Sequence, residues 1–215
     1  MMKQFRLDQL ADSIFAIVMT ILVFEIRVPE YMGMVSEGTL INSLMNMYPL
    51  FLSYLLSFSL IFTYWRSHHF IASVLVKNID ANFANLNGIF FFFVGLIPFS
   101  SHFLGSYIYS ETATIVFAIN IIIIGITLFL MRDYAIKSQT IENAPFTKIE
   151  NEHAKMHILF PIVSAILAIF VSFISIKLAL ILFTIAILFN LSSKGTNYVY
   201  FFINMFRKKE LDHLG

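Results

Sequence analysis

The sequence has no cysteine, which excludes disulfides, thiolate metal sites and thiol catalysis. It has little charge. Asp, Glu, Lys and Arg make up 13% of its 215 residues, about half the ~25% of a soluble domain. A chain with so little polar surface does not stay in water, so a soluble globular domain, a disordered chain and a nucleic-acid binder are all excluded. No GxxxxGK[ST] phosphate loop and no GxSxG elbow is present. The potassium-filter motif TVGYG is missing, and no helical stretch carries the ladder of arginines that senses voltage. What the chain has in abundance is apolar side chains: 59% of it, with a mean hydropathy of +0.81. That composition points to an integral membrane protein.

A spanning helix needs about 20 mostly apolar residues. Six stretches meet this: Gln9 to Val28, Leu44 to Tyr64, Leu86 to Tyr107, Thr112 to Met131, His157 to Ile176 and Leu178 to Tyr198. Helices are expected because each satisfies its own backbone in lipid. Transmembrane strands would alternate with period two, and Ile119 to Met131 does not. The first stretch reads as a retained helix and not a cleaved leader. It carries Asp12, Glu25 and Arg27, and no small-residue cleavage site follows. Placing the N-terminus in the cytoplasm puts twelve of the fourteen Lys and Arg residues on the inner side and leaves only Arg27 and Lys177 outside. The expected architecture is all-α, one membrane domain over residues 1–215, with six transmembrane helices and both termini cytoplasmic. Pro98 and Pro161 are placed to kink the third and fifth helices.

Ionisable groups inside a membrane are costly and face protein or water. Asp12, near the start of the first helix, is such a group. It reads either as an acid favoured by the helix dipole or as a structural or permeation residue at the inner mouth. Ser13, Ile17, Thr20 and Phe24 are spaced 4, 3 and 4 apart, with Ile21 beside them, and so form one stripe. The stripe suits a pore wall; it suits ordinary helix packing as well. Trp65, the only tryptophan, with Arg66, His68 and His69 after it, forms an interfacial anchor. Either histidine is a candidate for a polar network with Asp80 or Asn87. His153 and His157 share a helix face, but Glu152 precedes the first instead of following it, unlike the zinc-protease pattern, and no third ligand is evident.

Arg6-x-x-x-Leu10-Ala11-Asp12-x-x-x-Ala16-Ile17-x-x-Thr20-Ile21-Leu22 resembles the first-helix signature RxxxFSDxxxAIxxTxL of the transmembrane-protein-175 family of potassium channels. Leu10 and Ala11 stand where that signature has Phe and Ser. The resemblance continues with Pro29 after the first helix, Trp65 with His68 and His69 after the second, and Pro98-Phe99 within the third. It covers the first half of the chain; the second half agrees in helix count.

The resemblance implies six-helix units that, in single-unit bacterial chains, assemble as homotetramers with the first helices lining a central pore. It implies Ile17 as the hydrophobic constriction, with Ile21 and Phe24 further out, and Thr20 as the residue favouring potassium over sodium. Arg6, Asp12, Trp65 and His69 become the contacts that hold the pore helix. The function so implied is a potassium-selective, voltage-independent leak channel in a bacterial cytoplasmic membrane, with potassium ions and the bilayer as its partners and no cofactor. Two other readings stay open. A small secondary transporter would use Asp12 and Glu25 as carriers. A membrane metalloenzyme would use His153 and His157.

Overall fold

The apolar runs become helices, and no strand forms among the described residues. The computed structural model describes residues 4–29, 35–142 and 148–191, the side chains at 74, 148–151 and 153 excepted. Helix α1 spans Gln4–Ile21 and tightens to a 3-10 turn over Leu22–Glu25. A short α2, Glu37–Asn46, precedes α3, Tyr48–His69, which runs on as a π-turn over Phe70–Leu75. Then come α4 (Ala81–Gly95), α5 (Ile97–Ser106), α6 (Glu111–Lys137), α7 (Lys148–Ser172) and α8 (Ile176–Leu191).

Five stretches are long and apolar enough to cross a membrane: Gln4–Glu25, Tyr48–Ser73, Ala81–Ser106, Glu111–Lys137 and Ala154–Ser172. The sixth apolar helix, Ile176–Leu191, has 16 residues; at 1.5 Å per residue it reaches about 24 Å. The part of the sixth expected span beyond Leu191 lies outside the described residues.

Helix ends differ from the apolar runs for identifiable reasons. The first helix is already formed at Gln4, five residues before the apolar run. Between the first two spans lies helix α2, started by Ser36, whose hydroxyl accepts from the Thr39 amide. The third span is broken at Leu96, where Pro98 lacks an amide hydrogen and its ring excludes a continuous helix. Pro161, by contrast, sits inside an uninterrupted α7.

Helix α6 is the centre, packed against α4, α5, α7 and α8. Its buried face uses small and polar residues, among them Ala113, Ala118, Gly125 and Thr127, which let neighbours approach. Several polar groups within the bundle are paired. The Tyr64 hydroxyl donates to the Ile121 carbonyl at 3.1 Å, and Asn120 Nδ2 to Ser100 Oγ at 3.0 Å. Helix α1 lies to one side, against α3, α4 and α5.

Below α1, two connections clasp each other. Lys77 N donates to the Glu142 carbonyl at 2.9 Å, and the Asn78 carboxamide pairs with Thr140 O and Glu142 N, both at 2.7 Å. Asp80 caps α4 through Phe83 N at 2.8 Å and accepts from the hydroxyls of Tyr134 and Thr140. Burial opposes its charge, but these bonds outweigh that and hold the carboxyl below its ordinary 3.8. The folded state therefore favours the carboxylate. Its contribution is complete above about pH 4 and is lost as pH falls through the lowered folded value. Asp80→Ala is expected to cost about 1 kcal/mol at pH 7, the usual worth of a cap. Thermal unfolding at pH 7 and pH 3 checks this, since the gap from wild type should shrink in acid.

Candidate functional site

The spacing of its apolar residues divides α1 into two faces. Leu7, Ala11, Phe15, Val18 and Leu22 recur every three or four positions and are all buried against the bundle. Two residues beyond Phe15, Ile17 lies about 200° round the helix. It is 55% exposed, and Ser13, Thr20, Ile21 and Phe24 are exposed with it. The stripe identified by spacing thus points away from the helix bundle. Phe24, the outermost, is 69% exposed.

The hydroxyls on this face are turned back onto their own helix. Ser13 Oγ donates to the Gln9 carbonyl at 2.8 Å. Thr20 Oγ1 lies 3.0 Å from the Ala16 carbonyl and 2.8 Å from that of Ile17. Their hydrogens are committed, so what each offers outward is an oxygen lone pair. A surface of this kind can accept cations and has no hydroxyl donor left for anions.

Support for α1 comes from α3. Trp65 Nε1 donates to Asp12 Oδ1 at 2.8 Å, so the acid in the membrane segment has a neutral, directional partner. His69 stacks on the Trp65 ring, 5.9 Å between centroids at 24°, and its Nδ1 lies 3.1 Å from Ser73 Oγ. The structure brings Asp12, Trp65 and His69 together. Arg6 stands apart: it is exposed, and its side chain makes no hydrogen bond or ion pair among the described residues. The N-terminal end of α1 is tied instead by Gln4, whose Nε2 donates to the Ala72 carbonyl of the π-turn at 2.8 Å.

Behind α1 sits His68, 1% exposed. Its Nε2 is 2.7 Å from Asn87 Oδ1, and Asn87 Nδ2 donates to Phe83 O at 2.8 Å. The imidazole stacks on Phe90 at 5.2 Å and meets Phe15 of α1 at 6.0 Å. Of the two partners considered for these histidines, Asn87 takes His68, while Asp80 caps α4.

At the far end of α1, Glu25 Oε2 is 3.2 Å from His102 Nδ1. Neither this pair nor the Gln4 tie was anticipated. The only sequence signal for Glu25 and His102 is their common depth, each near the outer end of an expected span. His153, half of the histidine pair, has no described side chain. Among the described residues no group of three His, Asp or Glu side chains is arranged to hold a metal.

Comparison with known proteins gives concordant results. Residues 6–98 match the family model described as endosomal/lysosomal potassium channel TMEM175. The chain is similar to a potassium channel of Chamaesiphon minutus, 36% identical over 51% of this chain and 53% of that one. It is similar to a potassium channel of a Chryseobacterium species, 27% identical over 80% of this chain and 84% of the other. A potassium channel of Streptomyces collinus is 28% identical over 51% of each. The match thus spans about half the length of the first and third relatives. The fold is similar to the crystal structure of a lysosomal potassium-selective channel TMEM175 homolog from Chamaesiphon minutus. The TM-score is 0.75 at 27% identity, over 87% of this chain and 95% of that one. With its several apolar helices, this chain is a multi-pass membrane protein.

Proposed function

We propose that the chain is a member of the TMEM175 family of potassium channels, whose family model matches its residues 6–98, and that it conducts potassium through a pore lined by α1. The observation that carries the reading is the division of α1: one face is packed into the bundle, and the opposite face, Ser13-Ile17-Thr20-Phe24, is left without cover in the single copy. Copies of one surface facing a common axis close by cyclic symmetry; four copies is the number the family resemblance implies. Each subunit is one six-helix domain with both termini cytoplasmic.

In that ring Ile17 forms the constriction, with Ile21 and Phe24 toward the outside. Apolar rings of this width shut by dewetting and open with a modest rotation. Thr20, next to the ring, turns acceptor oxygens to the axis and favours the ion that sheds its water more readily. No cage of carbonyls replaces the hydration shell, so discrimination of potassium from sodium is moderate. Asp12, Trp65 and His69 steady the helix behind the constriction, and Arg6 flanks its inner mouth. With no arginine ladder on any helix, conduction does not depend on voltage. The transporter reading has less support: Asp12 and Glu25, its carriers, each already hold a protein partner, and the named relatives are channels.

The test is a planar bilayer containing the purified protein, with potassium on one side and sodium on the other. A current reversing toward the potassium equilibrium potential is expected. Saturable, coupled uptake in liposomes with no such current would sink the channel reading.

A further inference from the structure

At the end of the apolar part of α3, a cavity of about 270 Å³ opens between α3, α7 and α8. It lies away from the α1 stripe and plays no part in the proposed pore. Arg66, Ser67, Phe70, His157, Ile158 and Asn190 are among the residues that line it, and none of the lining residues is acidic. The Arg66 side chain is exposed and makes no hydrogen bond or ion pair among the described residues. Asn190 is 3% exposed. Its Oδ1 is turned to His157 Nδ1 at 2.7 Å, while its Nδ2 has no partner among the described residues. A buried amide donor left unpaired costs about 1–3 kcal/mol, and groups in that condition call for an occupant.

We infer that this cavity binds the phosphate group of an anion, with Arg66, Ser67 and the Asn190 amide as its donors. The sign of the ligand follows from the lining: one fixed cation, neutral donors and no carboxylate. A guanidinium fork offers paired N–H groups that match phosphate oxygens. The Thr63 hydroxyl is not part of the set, because its hydrogen goes to the Ser59 carbonyl at 2.8 Å. The remaining walls, Phe70, Ile71, Ala154 and Ile158, are apolar. They suit the glycerol and upper acyl carbons of a phospholipid better than a free ion, and the position beside the end of an apolar run is where headgroups lie. Lipid phosphate is the source this placement favours.

Binding is read without any current, so failure here leaves the pore reading intact, and failure of the pore reading leaves this one testable. The purified full chain is equilibrated in detergent with phosphatidylglycerol, or with an uncharged glycosyl diacylglycerol of the same acyl chains. Retained lipid is then counted by native mass spectrometry. Phosphatidylglycerol is expected to be retained and the glycolipid not, with retention falling about tenfold in Arg66→Gln, as for loss of a charge-assisted hydrogen bond. Asn190→Asp preserves the oxygen facing His157 but replaces the free donor with an acceptor, and the same loss is expected. Arg66→Lys should restore part of it. A purely structural role for Asn190 would leave retention unchanged. A parallel arm adds inorganic phosphate to lipid-free protein. A saturable rise in melting temperature that both variants abolish, with no lipid retained, assigns the site to a soluble phosphate. Equal retention of both lipids, or retention that neither variant alters, together with no effect of phosphate, overturns the proposal.

Discussion

Ile17→Asn is expected to raise the potassium current per channel about tenfold at a fixed voltage, the equivalent of about 1.4 kcal/mol off the barrier at the constriction. The argument has two parts. First, the substitution costs the fold little, because Ile17 is exposed on the single copy and belongs to none of its buried stripe. Second, in the proposed ring a carboxamide admits water that isoleucine would exclude. Ion selectivity should fall at the same time, with the reversal potential moving toward zero under potassium–sodium gradients. Ile17→Leu keeps the ring apolar and should leave the current within a small factor of wild type. Val18→Asn is the contrasting control. It puts the same group on the packed face, where Val18 is buried, and should lower stability without opening anything. Single-channel recording decides: an Ile17→Asn channel with unchanged conductance and open probability removes Ile17 as the gate.

The second large effect concerns the fold. Gly105→Val is expected to destabilise the protein by about 1–3 kcal/mol, as overpacking does. Helix α5 crosses α3 closely at this glycine. A Cβ there would press on Ser53 Oγ and come within 2.9 Å of Leu50 Cδ2 and 3.1 Å of Leu50 Cα. The last of these is backbone and cannot swing aside. Ser53 is itself engaged, its hydroxyl donating to Leu50 O at 3.0 Å and its carbonyl accepting from Ser101. Relief therefore requires α3 and α5 to separate. Melting of the detergent-solubilised protein should drop by roughly 2–4 °C per kcal/mol for a chain of this size. Gly95→Ala is the matched control, since nothing lies within 4 Å of a Cβ there, and it should melt at or above wild type. Equal melting of Gly105→Val and Gly95→Ala would refute the close approach.

Five of the spans were legible because hydrocarbon demands long apolar runs, and such runs are visible without any knowledge of neighbours. Their ends were less so. Ser36 starts a helix where the surrounding polarity reads as loop, and the π-turn after His69 leaves no mark in composition. Pro98 and Pro161 look alike in sequence, yet one ends a helix and the other does not, because the outcome depends on what surrounds each ring. The Ser13-Ile17-Thr20-Phe24 stripe was visible as spacing, but spacing cannot say which way a stripe faces. That required the opposite face, Leu7 to Leu22, to be seen buried. Asp12 and Trp65 are 53 positions apart, and only the family resemblance put them in one group. The Glu25–His102 pair is farther apart still and belongs to no motif. The cavity at Arg66 and Asn190 joins three helices, and no linear pattern announces it.

The uncovered face of α1 also sets how the protein behaves in mixtures. Each copy presents the stripe once, so every side of the proposed ring is contributed by a different molecule. Co-expressing wild-type and Ile17→Asn chains therefore yields one more class of channel than there are copies in the ring, with abundances following the binomial distribution of the two transcripts. Counting the conductance levels in single-channel records reads the subunit number directly. The same logic makes a single defective copy partially dominant over its normal partners.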